Sequence, residues 1–174
     1  MTISGLLTPL CQPVHPAWVD ANTTPIATSM AVLQTEGGSL VLVRPCEVTV
    51  EGEPYPALGL SVEECDSSAL RWSVAGKNYS MSPLSQAEGI LPFSVSRIVE
   101  SDPLDEGPVS EILLMAKDGS QLLFRHIMPP MTLGIAVTEP DQSSNNSFKV
   151  TRRPVTEFAV ANWAPARPAP QLDR

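Results

Sequence analysis

Two histidines, three cysteines and a scatter of carboxylates are the side chains here that nucleophilic, acid–base or metal chemistry would most readily recruit. Their placement argues against each use. His15 lies among prolines. His126 sits on the apolar run Leu122 to Ile127, which reads as a core strand, where a histidine is expected to be a hydrogen-bonded structural residue. Cys11, Cys46 and Cys65 are odd in number and widely spaced, without the C-x-x-C pairs of a zinc ribbon or a thioredoxin-like motif, so reduced thiols are expected. No G-x-S-x-G elbow, H-E-x-x-H, P-loop or G-x-G-x-x-G occurs, which removes the usual support for hydrolase, zincin, kinase or dinucleotide chemistry. Glu63-Glu64 and Asp105-Glu106 supply the residue types of a glycosidase pair, yet three Trp, two Tyr and four Phe leave few platforms for a sugar. Asp102, Asp105 and Glu106 bring hard oxygen donors into the segment SDPLDEGP, but it lacks the D-x-[DN]-x-[DN]-G spacing of a calcium loop and holds two prolines. It reads as a solvated turn. The expectation is a protein without catalytic residues, cofactor or metal, and so not an enzyme.

Charge narrows the partners. The net charge is −8, and it is uneven. Residues 44–148 carry six bases against fifteen acids, while Lys149, Arg152, Arg153, Arg167 and Arg174 outnumber Glu157 and Asp173 in the last 26 residues. Affinity for nucleic acid comes largely from Lys and Arg on phosphates, so an acidic body excludes it as an expected partner. A basic protein surface is the complementary partner. No apolar run approaches the ~18 residues that span a bilayer, and no membrane contact is expected. The opening MTISGLLTPLC has no Lys or Arg before its apolar run and Leu10 before the cysteine, unlike a secretion signal. The expected setting is cytoplasmic or virion-associated.

The elements that would position any site are strands. Eighteen prolines are about twice the average share and nearly exclude a helical protein. Residues 1–28, with Pro9, Pro13, Pro16 and Pro25, read as an extended arm; 29–163 as one all-β domain; and 164–174, with Pro165, Pro168 and Pro170, as an extended tail. Within the domain, Met30 to Arg44 is a hairpin about Gly37-Gly38, and Cys46 to Gly52 alternates at period two, with a bend expected at Pro45. Ala57 to Glu63 suggests a strand, and a further hairpin is expected to turn at Gly76-Lys77-Asn78. Ser82 as cap and Pro83 at the first helical position mark one helical turn near 83–88. Pro92 to Glu100 alternates except at Arg97 and Ile98. Glu111 to Ile127 is the strongest signal, two apolar runs about Asp118-Gly119. A strand after Pro130 and one or two more split at Pro154 complete about ten short strands, an antiparallel β-sandwich or partly open β-barrel.

Arg44, ahead of an alternating strand, and Asp66-Ser67-Ser68 resemble the R-x-x-x-R and [DN]-x-S-x-x-G elements of cyclic-dinucleotide-binding PilZ domains, which are small β-barrels. The likeness stops there. Leu40 and Val48 stand four residues either side of Arg44, and Arg71 replaces the final glycine, so no such ligand is expected. What remains is protein surface. The leading expectation is an assembly or adaptor subunit, docked through its Pro-rich ends on a larger complex such as a virion or a bacterial multi-protein assembly, or on itself. Its contact residues would be Arg152, Arg153, Pro165, Arg167 and Pro168, with Asp102, Asp105 and Glu106. The alternatives are an inhibitor or immunity-type protein masking a basic surface, and a ligand-binding barrel lined by Trp72 and Phe124 with Arg71, Arg125 and His126.

Overall fold

A computed structural model of the chain describes residues 1–9 and 26–140, and residues 154–158 by their backbone pairing alone. Among the described residues there are twelve strands: β1 (Thr2–Pro9), β2 (Ile26–Thr28), β3 (Ala31–Thr35), β4 (Leu40–Val48), β5 (Ala57–Cys65), β6 (Arg71–Val74), β7 (Lys77–Pro83), β8 (Phe93–Ser101), β9 (Glu111–Ala116), β10 (Gln121–Ile127), β11 (Thr132–Thr138) and β12 (Pro154–Phe158). All pairings are antiparallel and join one sheet, whose main path runs β2-β11-β10-β9-β8-β1-β3-β4-β5. The all-β reading therefore holds. No helix among the described residues is long and apolar enough to cross a membrane.

The sheet folds back on itself, because its inner apolar face must be hidden and only a facing half-sheet can hide it. Ile3, Leu33, Val43 and Val62 from β1, β3, β4 and β5 share one buried cluster with Ile98, Leu114, Phe124 and Ile135 from β8 to β11. The hinge is β8. Its first residues pair with β1 (Thr2↔Ser94, Ile3↔Phe93), while its later ones pair with β9 and, on the other edge, with β12. Two smaller clusters back the halves: Val99, Leu113, Leu123 and Ala136 behind β8 to β11, and Leu7, Val32 and Leu42 behind β1, β3 and β4, the latter packed by Leu70 and Met81.

Local chemistry explains the turns. Glu36-Gly37-Gly38 and Lys117-Asp118-Gly119 make the same three-residue hairpin loop, closed by Thr35 N–H on Ser39 O and Ala116 N–H on Ser120 O. Gly38 and Gly119 hold the left-handed position, at φ 84° and 92°. The imperfect alternation at Arg97 and Ile98 is a β-bulge: the register on β9 slips between Val95 and Arg97. The extra residue brings Ile98 into the core beside Phe93 and Val95 and sends Val99 to the opposite face.

Several expectations need correction. Residues 2–9 are not part of an arm but a strand with neighbours on both sides; their prolines-to-come hid a run, ISGLL, that pairs with β3. Pro45 does not break its strand, for β4 runs through it while β3 ends opposite Val43, leaving no neighbour on the side where proline lacks its N–H. The helical turn is a 3₁₀ turn at Ser85–Ile90, because Ser82 and Pro83 still pair with β1. The β6–β7 turn falls at Ala75-Gly76, both with positive φ, one step ahead of the expected place. A second 3₁₀ turn, Ser67–Leu70, is capped by Asp66, whose carboxylate accepts the Ser68 N–H at 2.7 Å. The residues that resembled a ligand motif thus serve a turn. The expected tail at 164–174 and the residues 10–25 lie outside the described residues.

Two predictions follow from these turns. Gly119→Ala forces a left-handed Cβ and is expected to cost about 1–2 kcal/mol in denaturant unfolding, whereas Gly37→Ala, with negative φ and room around it, changes stability by less than about 0.5 kcal/mol. Asp118 is held below its ordinary value of 3.8 by the backbone and side-chain hydrogen bonds from Ser120. Those bonds favour the ionised form in the folded state. Their stabilisation is present above that value and is lost as pH falls through the lower folded one. The stability gap between the wild type and Asp118→Ala, measured by urea unfolding, should shrink from neutral pH to a pH of about 2.

Candidate functional site

His126 ties together one end of the folded sheet. Its alternation with Leu122 and Phe124 points it inward, and it is 2 % exposed. Nδ1 donates to Gly59 O at 2.9 Å, and Nε2 accepts the Met131 N–H at 3.2 Å, an arrangement that selects the tautomer with its proton on Nδ1. Its own N–H donates to Ser110 O. One residue therefore links β5, the β8–β9 connection and the β10–β11 turn. The ring is fully used in these contacts and has no nitrogen left for proton transfer.

Around it, the β8–β9 loop is pulled onto the edge of β5. Leu60 N–H donates to Val109 O at 2.7 Å and Leu58 N–H to Glu106 Oε2 at 2.7 Å. Gly59 allows the approach, since a Cβ there would lie 3.0 Å from Pro108. Asp102 holds the loop itself, accepting from Gly107 N–H at 2.6 Å and Ser110 Oγ at 3.2 Å. Asp105 sits exposed at its apex with φ 61°. Of the three acids expected to meet a partner, two are thus engaged within the chain and one is presented outward. None of them gathers into a cation cage, and among the described residues no group of three His, Cys, Asp or Glu is placed to hold a metal.

The same end carries exposed apolar side chains that the sequence reading missed. Tyr55 is 80 % exposed in the β4–β5 loop, Leu104 42 % in the β8–β9 loop, and Met128 and Met131 about half exposed in the β10–β11 turn. Single apolar residues inside the breaker-rich strings EGEPYP, SDPLDEGP and MPPM were the available signal, because such strings are forced onto the surface. The β4–β5 and β8–β9 segments are also acidic. Glu47, Glu51, Glu53, Asp102, Asp105 and Glu106 fall in stretches 45–56 and 101–110, which contain no Lys or Arg.

The remaining candidates are dispersed. Phe124 is in the core, Trp72 stacks on Tyr79 across the β6–β7 hairpin with ring centroids 5.9 Å apart, and Arg71 is exposed beside it. Arg125 faces away from the interior and pairs with Glu111, whose other oxygen accepts from Ser101 Oγ. Arg71 and Trp72 line a shallow surface pocket on the β6–β7 hairpin, and Phe124, Arg125 and His126 are not among its lining residues, so the five candidates do not share one cavity. Burial pushes the Cys46 thiol up, and burial with Asp66 and Glu63 does the same for Cys65, so both are poor nucleophiles. Arg152, Arg153, Pro165, Arg167 and Pro168 lie outside the described residues.

Replacing His126 by Phe keeps a ring but leaves Gly59 O and Met131 N–H without partners. An expected loss of about 2–4 kcal/mol in chemical denaturation, with greater proteolytic cutting within 102–108 and 128–131, would show that the imidazole organises this end. A variant as stable as the wild type would refute that role. No protein-family model matches the chain, and no curated protein or solved structure matches it either.

Proposed function

We propose that this chain is a non-enzymatic protein-interaction subunit, and that the loop end organised by His126 is the surface it offers to a basic partner within a larger assembly. The supporting observation is the combination found there. Exposed Tyr55, Leu104, Met128 and Met131 supply anchors of the type that carry binding energy, and the acidic loop stretches 45–56 and 101–110 contain no Lys or Arg. Loops tied to a sheet by hydrogen bonds also lose little freedom on binding, which is where affinity is otherwise spent.

A free-standing inhibitor that masks a basic site would use the same surface. Salt separates the two. A charge-steered inhibitor loses association rate steeply with ionic strength, whereas a subunit anchored by apolar contacts loses little. The test is light scattering and pull-down with the purified chain in lysate of its native cell, beside Glu51→Lys/Glu53→Lys and Leu104→Asp variants. The reading expects a defined complex that both variants weaken by about tenfold or more. A lone monomer that captures nothing, or a complex indifferent to both variants, overturns it.

A further inference from the structure

The β6–β7 hairpin is where the sheet is narrowest. Residues 81–83 of β7 pair with β1, but from Ser80 to the turn the only strand beside β7 among the described residues is β6, and β6 pairs with no other. The register sets Trp72 opposite Tyr79 and Val74 opposite Lys77, so these four side chains project from one face. Arg71, Ser73, Asn78 and Ser80 take the other, where Ser73 Oγ donates to Asn78 Oδ1 at 2.6 Å. Met81 carries the first face down to the apolar cluster of Leu7, Val32 and Leu42. Beyond it the two rings stack with planes 13° apart, and Tyr79 and Val74 remain 39 % and 56 % exposed. An apolar strip thus leaves the body and ends in solvent, with a shallow pocket of about 380 Å³ touching both aromatic residues.

Paired Trp and Tyr rings on adjacent strands are a surface that takes proline. The pyrrolidine ring packs its C–H groups on the electron-rich aromatic faces, and a polyproline segment is already extended, so little chain entropy is lost on docking. This chain supplies such a segment. Ala164 to Pro170 reads A-P-A-R-P-A-P, three X-Pro steps with Pro165 and Pro168 in P-x-x-P spacing. Distance keeps it from its own hairpin. Phe158, the last described residue before it, pairs with Ile98, beyond the Met1 end of β1, while Tyr79 lies beyond the other end, where Met81 pairs with Pro9. The two are about 40 Å apart along the sheet at ~3.3 Å per residue. The seven residues from Phe158 to Pro165 reach no more than ~25 Å.

We infer that the segment Ala164–Pro170 of one copy of this chain docks on the Trp72–Tyr79 face of a second copy. Each copy holds one segment and one face, so copies link head to tail into a ring or an open row. Stacking rather than charge carries the contact. Arg71 and Lys77 flank the rings and Arg167 lies between the prolines, so these like charges oppose the contact and added salt, which screens them, does not weaken it. The inference uses none of the loop residues around His126 and stands or falls independently of the surface proposed there.

The test is sedimentation velocity on the full chain from about 5 µM to about 0.5 mM, where small interfaces associate. The wild type is expected to gain mass with concentration. Tyr79→Ser, and separately the full-length Pro165→Ser/Pro168→Ser/Pro170→Ser variant, should each weaken association about tenfold or more. Mixed together, the two variants should form a one-to-one complex and nothing larger, because one keeps the segment and the other keeps the face. That rescue shows that neither variant fails by misfolding. In the mixture the Trp72 indole N–H of the ¹⁵N-labelled proline variant should shift in NMR spectra, and Leu104→Asp should leave wild-type association intact. A wild type that stays monomeric across the range, association retained by the proline variant, association that falls steeply as salt rises, or a mixture without complex each overturns the inference. So does a Trp72 resonance that the proline substitutions move at a concentration where the wild type is monomeric, since the segment then lies on its own chain.

Discussion

Closure of a single sheet onto its own apolar face is the constraint on which the rest of this structure depends. The strands supply two facing halves, but among the described residues β5 has no partner strand on the side away from β4. A few hydrogen bonds stand in for that strand: Leu60 to Val109, Leu58 to Glu106, and the two nitrogens of His126 to Gly59 and Met131. Each buried polar group left unpaired would cost about 1–3 kcal/mol, so the set is cooperative in effect: loosening one exposes the rest. The loops at this end owe their positions to the same bonds that seal the core.

Polarity within the fold follows the same economy. Carboxylates are abundant, and several of them serve backbone geometry. Asp66 and Asp118 each cap a turn through the serine two residues ahead, and Asp102 and Glu106 shape the β8–β9 loop. The buried Glu111 is balanced by Arg125 and Ser101, which keeps an otherwise costly charge behind β9 and β10. Acidity at the surface is thus a residue of what folding did not use. It is concentrated where loops, not strands, form the boundary.

How far the sequence foretold this depends on what each feature rests on. Hairpins at Gly38 and Gly119 were legible because a positive φ is a local demand that glycine meets. The role of His126 was legible because its run was apolar. The placement of β1 was not, since nothing local in ISGLL distinguishes a central strand from an arm, and its partners lie roughly thirty and ninety residues away in sequence. Pro45 misled for a similar reason: whether proline breaks a strand depends on whether a neighbour needs its missing N–H, and that neighbour is set by where β3 ends. The apolar loop residues of the candidate surface were overlooked because only the meeting of three loops gives them collective meaning.

The position of β1 also bears on how the chain reaches this fold. Thr2 and Ile3 pair with Ser94 and Phe93, so the two halves join through contacts between residues about ninety apart. The pairing of β1 with β3 and of β3 with β4 is comparatively local. Topologies dominated by distant pairings fold slowly, in the millisecond-to-second range for such β-proteins. During synthesis the first half-sheet must therefore wait, with one edge of β1 and its inner face uncovered, until some ninety residues have left the ribosome. That interval is when the growing chain is most vulnerable to pairing with the wrong edge.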